Sequence, residues 1–66
     1  MSDVREQVYE CIVAFMDDHG GLAPTISEIS KCVGKSGTAV RWHLDKLEED
    51  NRISRIPGRA GGIIIT

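Results

Sequence analysis

Gly34, Lys35 and Ser36 are all that separate two stretches of helical apolar periodicity, and this tight spacing limits the folds open to the chain. Before the gap, Ile26, Ile29 and Val33 share one side of a short helix spanning about 26–33. Gly34 stops that helix, because glycine reaches left-handed backbone angles cheaply. After the gap, Ser36 is placed to cap a helix spanning about 36–50, whose buried stripe is Val40, Leu44 and Leu47 at i, i+4 and i+7. Two helices joined by so short a turn read as a helix-turn-helix.

The rest of the chain supplies what such a pair packs against. Asp3 with Glu6 forms a capping-box pattern, and a first helix over 3–18 places Val4, Val8, Ile12, Phe15 and Met16 on one side. The run HGG at 19–21 ends it. Pro24 favours an extended residue before it, and Thr25 with Glu28 forms a second capping box. Past Asn51, a residue that tolerates the left-handed turn, the pattern gives a strand at 53–56, the turn PGRAGG at 57–62 and a strand at 63–66. Ile53, Ile63 and Ile65 are the inward choices. Arg55 shares the parity of Ile53, so its stem would cover the core while its head reaches water. Sixty-six residues leave room for one small domain, over 1–66. The expected class is mostly α with a small β-hairpin: a three-helix winged helix-turn-helix.

No apolar run approaches the roughly 20 residues needed to span a bilayer, and no signal-peptide pattern opens the chain. A cytoplasmic location follows, with Cys11 and Cys32 reduced and buried within helices; a disulfide between them is the less favoured alternative. The net charge of −2 argues weakly against nucleic acid. Its distribution argues the other way. Residues 1–30 hold one basic and six acidic side chains, whereas 31–66 hold seven basic and four acidic. A basic face is what attracts phosphates.

Advancing about 100° per residue around the third helix, with Val40, Leu44 and Leu47 inward, turns Thr38, Trp42, Asp45 and Glu49 outward. Ala39 and Lys46 lie to one side and Arg41 to the other. Taken singly, Arg41 is a solvated charge and Trp42 a half-buried packing residue. The motif gives them meaning, because the N-terminal residues of its second helix meet base edges in the major groove. Arg41 is suited to pair with guanine through two hydrogen bonds, Ala39 to touch a thymine methyl, and Thr38 to bond a base or phosphate. Trp42 would pack on sugars or a methyl group, or cover the wing. Ser36 and the amides at the helix start suit a phosphate. Lys35, Lys46 and, at the wing tip, Arg59 complete the candidate DNA-binding set.

At these residues the chain resembles the N-terminal DNA-binding domain of LexA-type repressors. APTISEISKCVG resembles the segment from the proline-threonine turn through the first motif helix, KSGTAVRWHLDKL the recognition helix, and RISRIPGRAGGIIIT the wing. The likeness runs through nearly the whole chain in the right order. It implies a winged fold that reads an operator, with base-reading positions at Ser36, Thr38, Ala39, Arg41 and Trp42. Two departures stand out. The family usually has acidic residues where Arg41 and Trp42 stand, so its operator cannot be carried over, and the turn before Ser36 is one residue shorter. No self-cleaving protease domain follows Thr66, so autoproteolysis, and the dimerisation that domain supplies, are expected to be absent from this chain.

Other chemistry fits poorly. GKSGT lacks the preceding glycine and strand of a phosphate-binding loop, and GRAGG lacks the strand-to-helix setting of a dinucleotide site. Cys11, His19, Cys32 and His43 match no compact zinc pattern, and His43 reads as a boundary residue with a local hydrogen bond. No metal, cofactor, small-molecule ligand, membrane contact or catalytic activity is expected. The function expected is sequence-specific binding of double-stranded DNA by a transcriptional repressor, with a homodimer on paired half-sites as the means to useful affinity. The alternative is a winged-helix protein-interaction module without DNA binding, anchored by Trp42 and Ile64.

Overall fold

The computed structural model describes residues 3–58 and 62–66; Arg59 lies outside the described residues. Three helices, α1 (Val4–Asp18), α2 (Ile26–Val33) and α3 (Gly37–Glu49), precede two strands, β1 (Ile53–Arg55) and β2 (Ile63–Ile65). This is the winged helix-turn-helix that the periodicities imply. No helix among the described residues is long and apolar enough to cross a membrane.

Each helix start has a capping side chain, and the three starts differ. Asp3 accepts a hydrogen bond from the Glu6 amide at 2.9 Å. Glu6 does not complete the expected box, because its carboxylate pairs with Arg52 instead. Thr25 and Glu28 do form a full capping box. The Thr25 amide and hydroxyl both donate to the Glu28 carboxylate, at 3.0 and 3.1 Å, and hold its pKa below the ordinary value. Ser36 accepts from the Ala39 amide at 3.2 Å, with no acid in the first turn of α3.

The ends follow the turn chemistry of the sequence. Gly34 lies at φ 69° and Asn51 at φ 59°, both in the left-handed region. After Asn51, the Arg52 amide donates to the Leu47 carbonyl at 3.0 Å and turns the chain into the wing. The wing is an antiparallel hairpin with Ile53 opposite Ile65, Ser54 opposite Ile64 and Arg55 opposite Ile63.

One core joins all five elements: Val8 and Ile12 of α1, Ile29 of α2, Val40, Leu44 and Leu47 of α3, Ile53 of β1 and Ile63 of β2. Burying each such side chain contributes about 1.5–3 kcal/mol, so a domain this small depends on every one. Ile65 packs at the margin of this cluster. Phe15 does not join it; its ring stacks on His19, with centroids 3.8 Å apart. The cysteines also depart from expectation. Cys11 is half-buried and Cys32 exposed, and their sulfurs are joined in a disulfide that ties α1 to α2. Sequence alone does not show that the two helices bring these positions together.

Candidate nucleic-acid interface

The turn between α2 and α3 fixes where the third helix begins. The amides of Gly34 and Lys35 both donate to the Ser30 carbonyl, at 2.9 and 3.3 Å. The Ser30 hydroxyl donates to the Lys35 carbonyl, so one serine closes the turn from both sides. Ser36 then satisfies a single amide of α3. The remaining donors at this helix start, and the positive end of its dipole, have no acidic side chain in the first turn to neutralise them. That is an electrostatic setting suited to a phosphate.

Around α3 the faces separate cleanly. Val40, Leu44 and Leu47 are buried, while Thr38, Arg41 and Trp42 are exposed; Ala39 is partly covered. Trp42 keeps 57% of its surface in solvent, so it contributes far less to the core than a tryptophan could. It is nonetheless positioned. The Lys46 ammonium lies 5.3 Å from its ring centroid, and the His43 ring meets it edge-on at 5.1 Å. Lys46 also pairs with Glu49 at 3.3 Å. Trp42, His43 and Lys46 line one side of an open hollow whose other side is Asp3, Val4 and Arg5 at the start of α1. The local hydrogen bond expected of His43 is absent: its Nδ1 is buried and has no partner among the described residues.

Charge pairing reshapes the basic half of the chain. Arg52 is tied to Glu6 and lies 4.1 Å from the Tyr9 ring centroid. Arg55, expected to reach water, instead binds Asp45 and Glu48, the latter at 3.0 Å. Partial burial works against the Arg55 charge, and the two carboxylates outweigh it, so its pKa moves up. The Glu6 hydrogen bond likewise raises that of Arg52. Arg5 pairs with Asp50 at 3.2 Å. Two of the three arginines after Asp50 are therefore internally neutralised. Among the described residues, the cations without an ion pair are Lys31, Lys35 and Arg41. All three lie between the last turns of α2 and the second turn of α3.

The structure thus gathers Lys35, Ser36, Thr38, Ala39, Arg41 and Trp42 along the turn and the front of α3. Lys46 stands one turn behind Trp42 and partly committed to Glu49. Lys31 is absent from the sequence-derived set. Its signal was its place three residues before Gly34, on the exposed side of α2.

Comparison with known proteins places nearly the whole chain in one family. The family model described as the LexA DNA binding domain matches residues 1–62. The LexA repressor of Xylella fastidiosa (strain M12) is 36% identical over 64 residues, covering 96% of this chain and 30% of that repressor. LexA repressor 2 of Xanthomonas oryzae pv. oryzae is 36% identical over 59 residues, covering 88% of this chain and 28% of that protein. The LexA repressor of Stenotrophomonas maltophilia is 33% identical over 64 residues, with 96% and 30% covered. The chain spans under a third of the length of these relatives, and the shared part contains the turn and helix just described. With the family model matched across all three helices and β1, this chain belongs to the LexA DNA-binding domain family.

Proposed function

We propose that this domain reads a specific double-stranded DNA sequence as the operator-binding part of a transcriptional repressor, with α3 in the major groove and the wing against the backbone. The observation that carries this reading is where free positive charge remains. Arg5, Arg52 and Arg55 are spent on internal pairs, and the cations without an ion pair among the described residues, Lys31, Lys35 and Arg41, border the start of α3. Lys35, Lys31 and the open helix start hold phosphates; Arg41 reads a guanine; Thr38 and Ala39 lie close to base edges; Trp42 packs on a sugar or a thymine methyl. Lys46 holds Trp42 in place, and a phosphate contact is assigned to Arg59. The role is binding without catalysis, in the cytoplasm, and two copies on paired half-sites supply the affinity a single small module lacks.

The test is selection of bound duplexes from a random pool, followed by fluorescence anisotropy on the winning sequence. The expected result is enrichment of one motif, bound far more tightly than a scrambled duplex of the same length. Absence of any enriched motif, with all duplexes bound alike, would overturn the proposal.

A further inference from the structure

Cys11 lies midway along α1 and Cys32 is the last residue but one of α2. Their Cα atoms are 6.6 Å apart, inside the range that native disulfides span, and the bond closes a segment with a sequence separation of 21. That segment holds the end of α1, the left-handed glycines Gly20 and Gly21, and nearly all of α2. The core residues Val8, Ile12 and Ile29 already pack α1 against α2, so the bond adds a covalent link to an existing contact. It sits two residues before Gly34 and four before Ser36, beside the turn that starts α3. Cys32 is exposed and Cys11 half-buried, so Cys32 is the more accessible residue of the pair.

If the domain works on DNA in the cytoplasm, as proposed above, it works where thiols are kept reduced. A cysteine pair already in bonding register, with one member open to solvent, is in that setting a bond that forms and opens. We propose that Cys11 and Cys32 form a reversible redox clamp, closed by low-molecular-weight disulfides, that fixes the first motif helix to α1 and so sets the temperature range over which the domain holds its DNA-reading shape.

The chemistry balances with glutathione disulfide as oxidant. The Cys32 thiolate attacks one of its sulfurs, forms a mixed disulfide and expels one glutathione thiolate. The Cys11 thiolate then attacks the Cys32 sulfur, the Cys11–Cys32 bond forms, and the second glutathione leaves. The electron pair passes to the two glutathiones, which also take up the two thiol protons. Thiol reductants run both steps backwards.

The 66-residue chain is equilibrated with glutathione disulfide or with excess reduced glutathione, and each sample is followed by intact mass and thermal unfolding. The oxidised chain is expected to be lighter by two hydrogen atoms and to melt on the order of 10–20 °C above the reduced one. Cys11→Ser and Cys32→Ser chains, where they fold, should melt at one temperature in either buffer. The comparison of the two wild-type states needs no variant. Free thiols or glutathione adducts alone in the oxidising buffer, or two states that melt together, would overturn the clamp. Between the two melting temperatures the oxidised chain should retain the selected duplex while the reduced chain releases it; below both, the affinities should match. A clamp that shifts melting in a chain that binds no duplex would sink the DNA reading and leave the redox bond standing.

Discussion

At the front of α3, Lys35 and Arg41 have no carboxylate partner among the described residues, and Trp42 is held out in solvent. One turn further on, Asp45 and Glu48 reach across to Arg55 of the wing, and Glu49 takes Lys46. The same helix therefore leaves positive charge available at one end and neutralises it at the other. Both ends rest on one buried stripe, Val40, Leu44 and Leu47. The difference shows that the number of basic residues in a segment matters less for phosphate attraction than which of them the fold has already paired. Pairing also orients the helix, since the acid-bearing end would repel phosphates and the front would not.

The largest effect should come from removing what the two ends share. Leu44 is buried between the front and back of α3 and also borders the wing base. Leu44→Ala should cost about 2–5 kcal/mol, comparable with the whole stability of so small a domain. Circular dichroism should then show a largely unfolded chain at room temperature. A folded variant that merely lost DNA binding would mean that the stripe is less central than its burial indicates.

The next effect separates the ends. Arg41→Ala should keep the fold and cost about 1–3 kcal/mol in binding to the selected duplex, with relaxed preference at one base position. Replacing the wing's partners acts in the opposite direction. Asp45→Asn with Glu48→Gln frees Arg55, so binding should strengthen on all duplexes and the salt slope should steepen by about one. Asp17→Asn with Asp18→Asn makes the same change in net charge on the last turn of α1 and serves as the control. Equal slopes for the two double variants would show that net charge alone, and not the release of Arg55, governs the response.

These features were not equally legible in the sequence. Helix order, the Gly34 stop, the Thr25–Glu28 box and the Asn51 turn all depend on neighbours within a few residues, and local rules of spacing and backbone preference suffice for them. The exposed positions of Thr38, Arg41 and Trp42 also follow from the stripe opposite them. What escaped is long in sequence separation. Arg52 meets Glu6 across 46 residues, Arg5 meets Asp50 across 45, and Cys11 meets Cys32 across 21. Each needs the relative placement of two helices, or of a helix and the wing, and no local pattern encodes it. The consequence is specific: the basic excess counted over 31–66 includes Arg52 and Arg55, whose charges are taken up by Glu6, Asp45 and Glu48.

A subtler contrast lies between the starts of α2 and α3. At α2, Glu28 occupies the third helical position and turns back onto Thr25. At α3 the equivalent position is Ala39, and only Ser36 caps. Ala39→Glu would supply the missing carboxylate. It should stabilise the folded domain by about 0.3–1 kcal/mol through the cap and the helix dipole, and it should also weaken binding to every duplex by placing negative charge where a phosphate is proposed to sit. Higher melting with weaker binding is the expected pair of results. Higher melting with unchanged binding would move the phosphate away from this helix start.

The smallest effect tests the α2 side of that contrast by pH. Bonds from Thr25 lower the folded-state pKa of Glu28 from its ordinary value of 4.5. A lowered folded pKa means that the ionised carboxylate favours the native state. Its contribution is complete above 4.5 and is lost as pH falls through the folded value. Glu28→Gln keeps a carbonyl for the Thr25 amide but removes the titration. The gap in melting temperature between wild type and variant should therefore be largest near neutral pH and shrink under acid. A gap of constant size at all pH values would assign the cap to hydrogen bonding alone. The open start of α3 would then differ from α2 by a missing acceptor rather than by a missing charge, and a bound phosphate would be held there by amide donors more than by the field of the helix.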